Sequence, residues 1–175
     1  MGKTCNSPRG RLGGAYRAVR RITAASVLIV AGAAGAQQAQ LAPGDWGVRC
    51  EAQGCLVVTS VADEQSNRML SLTLALPRTE GPVRFAVLTP LGTALDKGLH
   101  LRAGVLDQTY PFATCTPEGC AVLLDLPQPD VVQLAAQPQL RATFYAVNRR
   151  EPYEVNVNLE EMGAALDAAM TELAR

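Results

Sequence analysis

One histidine, His100, is all the imidazole in this 175-residue chain. Histidine-rich metal sites, or a Ser-His-Asp triad of ordinary geometry, would have to rest on that single ring. The nucleophile elbow G-x-S-x-G, the zinc helix H-E-x-x-H, the phosphate loop and the dinucleotide fingerprint are all missing. So is C-x-x-C, which removes the usual redox pair. No apolar run reaches the ~20 residues that span a bilayer. Beyond the first 36 residues Arg149-Arg150 is the only local basic pair, too little for a surface that tracks phosphates.

Acidic residues are missing from the first 36 positions, and that absence is informative. Met1–Arg21 carries six basic side chains, Ile22–Ala33 is a short apolar run, and Ala34-Gly35-Ala36 is a small-x-small sequence. A charged start, a short apolar stretch and a cleavage site together describe a secretory signal peptide over residues 1–36. Arg20-Arg21 lacks the bulky residues expected after a twin-arginine pair, so general secretion is the expectation. No cysteine stands at the cleavage point to take a lipid. Residues 37–44 read as a flexible lead, and 45–175 as one domain of ordinary size.

Removal of the signal leaves ten basic and sixteen acidic residues, a net charge of about −6. A moderately acidic domain argues against nucleic acid as a partner, and no membrane span is expected after cleavage. Cys5 leaves with the signal, so four cysteines remain: Cys50, Cys55, Cys115 and Cys120. In an exported chain four cysteines read as two disulfides, with three connectivities open.

Those cysteines sit in a repeated hexapeptide, CEAQGC at 50–55 and CTPEGC at 115–120. Cysteines with four residues between them across a turn can face each other with Cα atoms ~4.5 Å apart, within reach of a disulfide. A six-residue loop is worth roughly 2 kcal/mol in chain entropy, whereas a long-range bridge such as Cys50–Cys120 is worth roughly 4. Entropy favours the distant pairing; geometry and speed of closure favour Cys50–Cys55 and Cys115–Cys120, which is the expectation. A four-cysteine zinc site is the alternative, disfavoured by spacing and by an oxidising compartment. No metal or cofactor is expected.

Between and after the hexapeptides, short strands alternate apolar with polar residues. Leu70, Leu72, Leu74 and Leu76 form one such series; Val83, Phe85 and Val87 another; Leu99 and Leu101, then Leu140, Ala142, Phe144 and Ala146, and Tyr153, Val155 and Val157 follow. Turn signals recur at intervals near ten residues. The fold class is all-β, an antiparallel sandwich or barrel-like sandwich. A short helix is expected within Pro127–Pro138. A C-terminal helix follows, capped by Asn158 with Glu161 completing a capping box, and Met162, Ala165, Leu166, Ala169, Met170 and Leu173 on one face.

Candidate contact residues are few. His100 alternates with Leu99 and Leu101 and so faces solvent; Trp46 reads as a core anchor at the start of the first strand, with ligand stacking as the alternative. The carboxylate pairs Asp63-Glu64 and Glu160-Glu161 are accounted for by a polar loop and a helix start. Leu72, Leu74, Phe85, Val87 and Phe144 would line the interior if the protein were a carrier of a small apolar ligand or lipid. A hydrolase built on His100 and a neighbouring carboxylate is the remote alternative.

With these residues in place, the chain resembles the invasion-associated locus B family of exported bacterial proteins. The resemblance rests on GDWGVRC at 44–50, TPLGTALDKGLHLRAG at Thr89–Gly104, YPFATCTPEGCAV at Tyr110–Val122, RATFYAVN at 141–148 and the closing VNLEEMGAALDAA. It departs in a first cysteine loop of only four residues, and in Met162-Gly163 where a Gly-Phe pair is common. The resemblance implies a periplasmic, secreted or surface-associated β-sandwich with no established catalytic residues. Its expected partner is an unidentified envelope or secreted protein.

Overall fold

The structure is a computed structural model and describes residues 42–175. The expected signal over 1–36 and the first part of the lead lie outside the described residues. From Ala42 the chain is already tied down, because the Gly44 N–H donates to the Ser60 carbonyl at 2.7 Å.

Among the described residues ten strands form two antiparallel sheets. The six-stranded sheet runs in the order β1 (Gly47–Glu51), β2 (Gly54–Ala62), β3 (Arg68–Pro77), β4 (Val83–Thr89), β8 (Gly119–Leu126), β7 (Thr114–Thr116). The four-stranded sheet runs β10 (Tyr153–Asn158), β9 (Gln139–Phe144), β5 (Leu99–Ala103), β6 (Leu106–Tyr110). The protein is an antiparallel β-sandwich with one short helix, α1 (Gln128–Ala135), and a C-terminal helix, α2 (Met162–Leu173). Helix α2 packs on β1 and β2, and α1 touches α2.

The period-2 pattern puts one residue in two inside. Leu70, Leu72, Leu74 and Leu76 of β3 are buried, and so are Val83, Phe85 and Val87 of β4. The register aligns Val57, Leu74, Phe85 and Leu124 in one inward row and Thr59, Leu72, Val87 and Val122 in the next. Leu99 and Leu101 of β5, Leu140, Ala142 and Phe144 of β9, and Val155 and Val157 of β10 belong to the same core. Full burial of a Leu or Phe contributes ~2 kcal/mol, so these rows carry the sandwich.

The repeated glycine of the two hexapeptides has a structural cause. A Cβ on Gly54 would sit 2.2 Å from the Leu76 carbonyl oxygen; one on Gly119 would sit 2.2 Å from that of Thr89. Gly119 also has φ +146°, a conformation glycine adopts readily. In both hairpins the neighbouring strand therefore lies so close that only hydrogen fits. The disulfides form as expected, Cys50–Cys55 and Cys115–Cys120, each with Cα atoms 4.0 Å apart and each spanning an in-register pair.

The segment Thr89–Thr93 carries the chain from one sheet to the other. Thr89 Oγ1 donates to the Cys120 carbonyl at 3.2 Å, and Thr93 Oγ1 lies 3.0 Å from Thr89 Oγ1. Beyond it, Ala94 N–H donates to Tyr145 at 2.7 Å and Val147 N–H donates to Gly92 at 2.9 Å. The second staple, the crossover and the end of β9 are thus one hydrogen-bonded corner.

The C-terminal helix begins later than its capping sequence suggests. Asn158 pairs with Gln139 as the last residue of β10, so it cannot be the N-cap. Its Oδ1 instead accepts from the Glu160 N–H at 2.9 Å, closing the turn before the helix, and Glu161 makes no side-chain cap. Met162, Ala165, Leu166 and Ala169 are buried as expected, but Met170 is 46% exposed. The buried stripe is narrower than the apolar one, because α2 rests on a sheet edge and leaves one flank uncovered.

Candidate functional site

Two outward faces compete for attention, and they differ in chemistry. On the four-stranded sheet the outer residues align as Asn156, Arg141, Arg102, Asp107 and as Glu154, Thr143, His100, Thr109. This face is polar throughout. Arg102 Nε donates to Asp107 Oδ1 at 3.0 Å, and His100 Nε2 lies 3.5 Å from the same oxygen. His100 Nδ1 lies 3.3 Å from Thr109 Oγ1.

A threonine, an imidazole and a carboxylate are therefore in line, as a hydrolytic site would need. The setting is wrong for that chemistry. The His100 and Asp107 side chains are 34% and 59% exposed on an open sheet, Asp107 is shared with Arg102, and water is free to solvate all three. General-base catalysis gains its force where water is excluded and the charges are fixed. His100 lines none of the main surface grooves.

On the six-stranded sheet the outer rows read Arg49, Leu56, Ala75, Arg84, Asp125, then Val58, Thr73, Ala86, Leu123, then Ser60, Ser71, Leu88, Ala121, Thr114. Small and apolar residues fill the middle of this face. Leu56 and Leu123 are 39% and 43% exposed, and among the described residues neither helix covers the face. One end of it opens into a hollow of about 490 Å3 rimmed by Arg49, Glu51, Glu80, Arg84 and Asp125. Arg84 Nε meets Asp125 Oδ1 there at 3.0 Å across the strands; both side chains are more than half exposed, so the pair adds little stability.

Trp46 is not free to stack on a ligand with its polar edge. It packs half-buried against the core, and its Nε1 donates to the Asn158 carbonyl at 2.9 Å. Leu72, Leu74, Phe85, Val87 and Phe144 are fully buried against one another, so the interior proposed for a carried ligand is filled with side chains. No cluster of three or more metal-binding side chains occurs among the described residues. Among the same residues no helix is long and apolar enough to cross a membrane.

The comparison with known families decides the kinship. The family described as Invasion associated locus B (IalB) protein matches residues 46–170. The chain belongs to this family. Its fold also matches the crystal structure of invasion associated protein b from Bartonella henselae, with a TM-score of 0.66 and 21% sequence identity. That match covers 77% of this chain and 98% of the other. No curated protein matches the chain by sequence. The match with the family begins at Trp46 and ends within α2, so it spans both sheets, both staples and the Trp46–Asn158 bond.

The bare apolar face was not foreseen from the sequence. Its signal was present: Leu56-Val57-Val58 and Leu123-Leu124 are unbroken apolar runs in strands, and a run without alternation places apolar residues on both faces.

Proposed function

We propose that this invasion-associated locus B protein is a non-enzymatic exported protein that binds another envelope or secreted polypeptide through the outer face of its six-stranded sheet. The carrying observation is that uncovered face, apolar at its centre around Leu56, Val58, Ala86 and Leu123, with charged residues at one end. An apolar centre with a polar rim is the anatomy of a protein–protein interface. The basic, apolar and small-residue pattern of residues 1–36 and the two disulfides support export to the periplasm or beyond. The open setting of His100 and the filled core weigh against hydrolysis and against carriage of a ligand in the sandwich interior.

Capture of partners from periplasmic extract tests this reading. The protein should enrich a specific envelope or secreted polypeptide over a disulfide-scrambled control. The double variant Leu56→Glu/Leu123→Glu, substituted at exposed positions, should keep its melting behaviour and lose that polypeptide. Equal enrichment by the scrambled control, or undiminished enrichment by the double variant, would rule the reading out.

A further inference from the structure

A second apolar concavity lies away from the bare sheet face, between the helices. Val131, Val132 and Ala135 of α1, Leu166 and Met170 of α2, and Leu76 and Val83 of the sheet line a socket of about 160 Å3. Val132 is 63% exposed on it and Met170 46%. Gly163 contributes to its wall in the first turn of α2, and a Cβ built there meets nothing within 4 Å. Glycine weakens a helix relative to alanine, and no close contact or positive φ requires it at this position. What its absence of side chain does provide is room.

We propose that this socket receives one bulky apolar side chain of a basic partner polypeptide. Size argues for a single side chain: small-molecule sites run from about 300 to 1,000 Å3, whereas a cavity of about 150 Å3 accepts one benzene ring. Anchors of that size, seated in a preformed pocket, dominate protein interfaces. Charge argues for a basic partner. The segments 128–135 and 159–174 contain Asp130, Glu160, Glu161, Asp167 and Glu172 and no lysine or arginine. Asp167 stands on the socket wall without an ion-pair partner among the described residues. The arginines near the end of α2 are engaged, Arg175 with Glu172 at 2.8 Å and Arg78 with the Leu173 carbonyl at 3.3 Å. A second copy of this chain would bring acid against acid, and an anionic lipid surface would be repelled in the same way.

Selection of random dodecapeptides displayed on phage against the disulfide-intact protein tests the proposal. Enriched peptides should carry Leu, Phe or Met beside Lys or Arg. Gly163→Leu fills the socket with a good helix former, so the variant should melt at or above the parent temperature yet bind those peptides about 30-fold more weakly. Asp167→Asn should weaken them up to about fivefold and flatten the salt dependence. Leu56→Glu/Leu123→Glu should bind them like the parent, which keeps the outcome separate from that of the sheet-face reading. Three results overturn the proposal: no enrichment, enriched peptides without the basic–apolar signature, or affinity that survives Gly163→Leu. Binding of octanoate or phosphatidylglycerol vesicles at Val132 and Met170, with no peptide bound there, overturns it as well.

Discussion

Trp46 and Asn158 are joined across 112 residues of sequence by a 2.9 Å hydrogen bond from the indole Nε1 to the backbone carbonyl. Trp46 leads into β1 of the six-stranded sheet, and Asn158 ends β10 of the four-stranded one. The bond therefore ties an edge of one sheet to an edge of the other. The Asn158 side chain meanwhile holds the Glu160 N–H and sets the turn into α2. One residue thus serves the sheet with its backbone and the helix entry with its side chain.

Trp46→Phe keeps an aromatic ring on the core and removes the donor. The cost expected is about 1 kcal/mol, the net worth of one hydrogen bond. Trp46→Ala loses the ring packing as well and should cost about 3 kcal/mol. Trp46 is the only tryptophan in the chain, so denaturation of these variants must be followed by circular dichroism rather than by fluorescence. Equal stability of Trp46→Phe and parent would show that the bond has no net value.

Several features were legible in the sequence because they depend on local period or on chain proximity. Alternation at Leu70–Leu76 and at Leu99–Leu101 identifies strands, and four-residue spacing brings Cys50 to Cys55 in register across a turn. Asn158 illustrates what was not legible. Its N-x-x-E pattern is a sound capping signal, but pairing with Gln139 claims the residue for β10, and that pairing is a long-range fact. The bare outer face escaped detection for the same reason. Whether a sheet face is covered depends on where distant helices dock, and α2 docks on the side of Cys55, whose Sγ lies 3.6 Å from the Ala169 carbonyl oxygen. Gly163 and Gly119 look alike as letters; one faces open space and the other a backbone carbonyl.

That contrast between glycines can be measured. Gly54→Ala and Gly119→Ala each force a Cβ to within 2.2 Å of a carbonyl oxygen on a packed neighbouring strand. Backbone must move, and a loss of about 3 kcal/mol or more is expected for each. Gly163→Ala meets no neighbour and should stabilise by about 0.5–1 kcal/mol through helix propensity. Urea denaturation of the three variants gives both signs in one experiment. Tolerance of alanine at Gly119 would contradict the close approach described for β4 and β8.

Thr59 presents an inward hydroxyl in β2, only 5% exposed, with no hydrogen-bond partner among the described residues. A buried hydroxyl without a partner costs about 1–3 kcal/mol in lost solvation. Valine has nearly the same shape and suits a strand. Thr59→Val is therefore expected to raise stability by about 1 kcal/mol, read as a higher urea midpoint with unchanged slope. A fall in the midpoint would mean that the hydroxyl is satisfied in solution.

The acid side of the stability curve has two identifiable contributors. Asp63 accepts hydrogen bonds from the Asn67 side chain and backbone and from the Gln65 backbone, which lower its pKa. Glu118 is lowered chiefly by the Thr116 hydroxyl, then by the backbone N–H at its own position, with Arg68 adding a smaller attraction. In both, the folded pKa lies below the unfolded one. Their contribution is therefore complete above the unfolded carboxylate range near pH 4 and is lost as pH falls through the folded pKa. Thermal melts of parent and Asp63→Asn should differ most at neutral pH and converge as pH falls below the unfolded carboxylate range and through the lowered folded pKa. A gap that widens on acidification would reverse the sign and refute the assignment.

The two staples should not be equivalent, although their loops are identical in length. Each closes six residues, and chain entropy assigns each about 2 kcal/mol. Cys115 is exposed on the three-residue edge strand β7, and Cys120, though only 4% exposed, stands outside the core cluster that holds Cys55, so Cys115→Ala/Cys120→Ala should lose less beyond that entropy. Cys55 is fully buried under α2, against the Ala169 carbonyl. Cys50→Ala/Cys55→Ala therefore also opens a gap beneath the helix, and a further loss of about 1 kcal/mol or more is expected. Because α2 packs on β1 and β2, amide exchange should accelerate across Met162–Leu173 in Cys50→Ala/Cys55→Ala and stay near the parent rate in Cys115→Ala/Cys120→Ala. Equal exchange in both would show that the Cys50–Cys55 bridge only fastens its hairpin and gives the helix no platform.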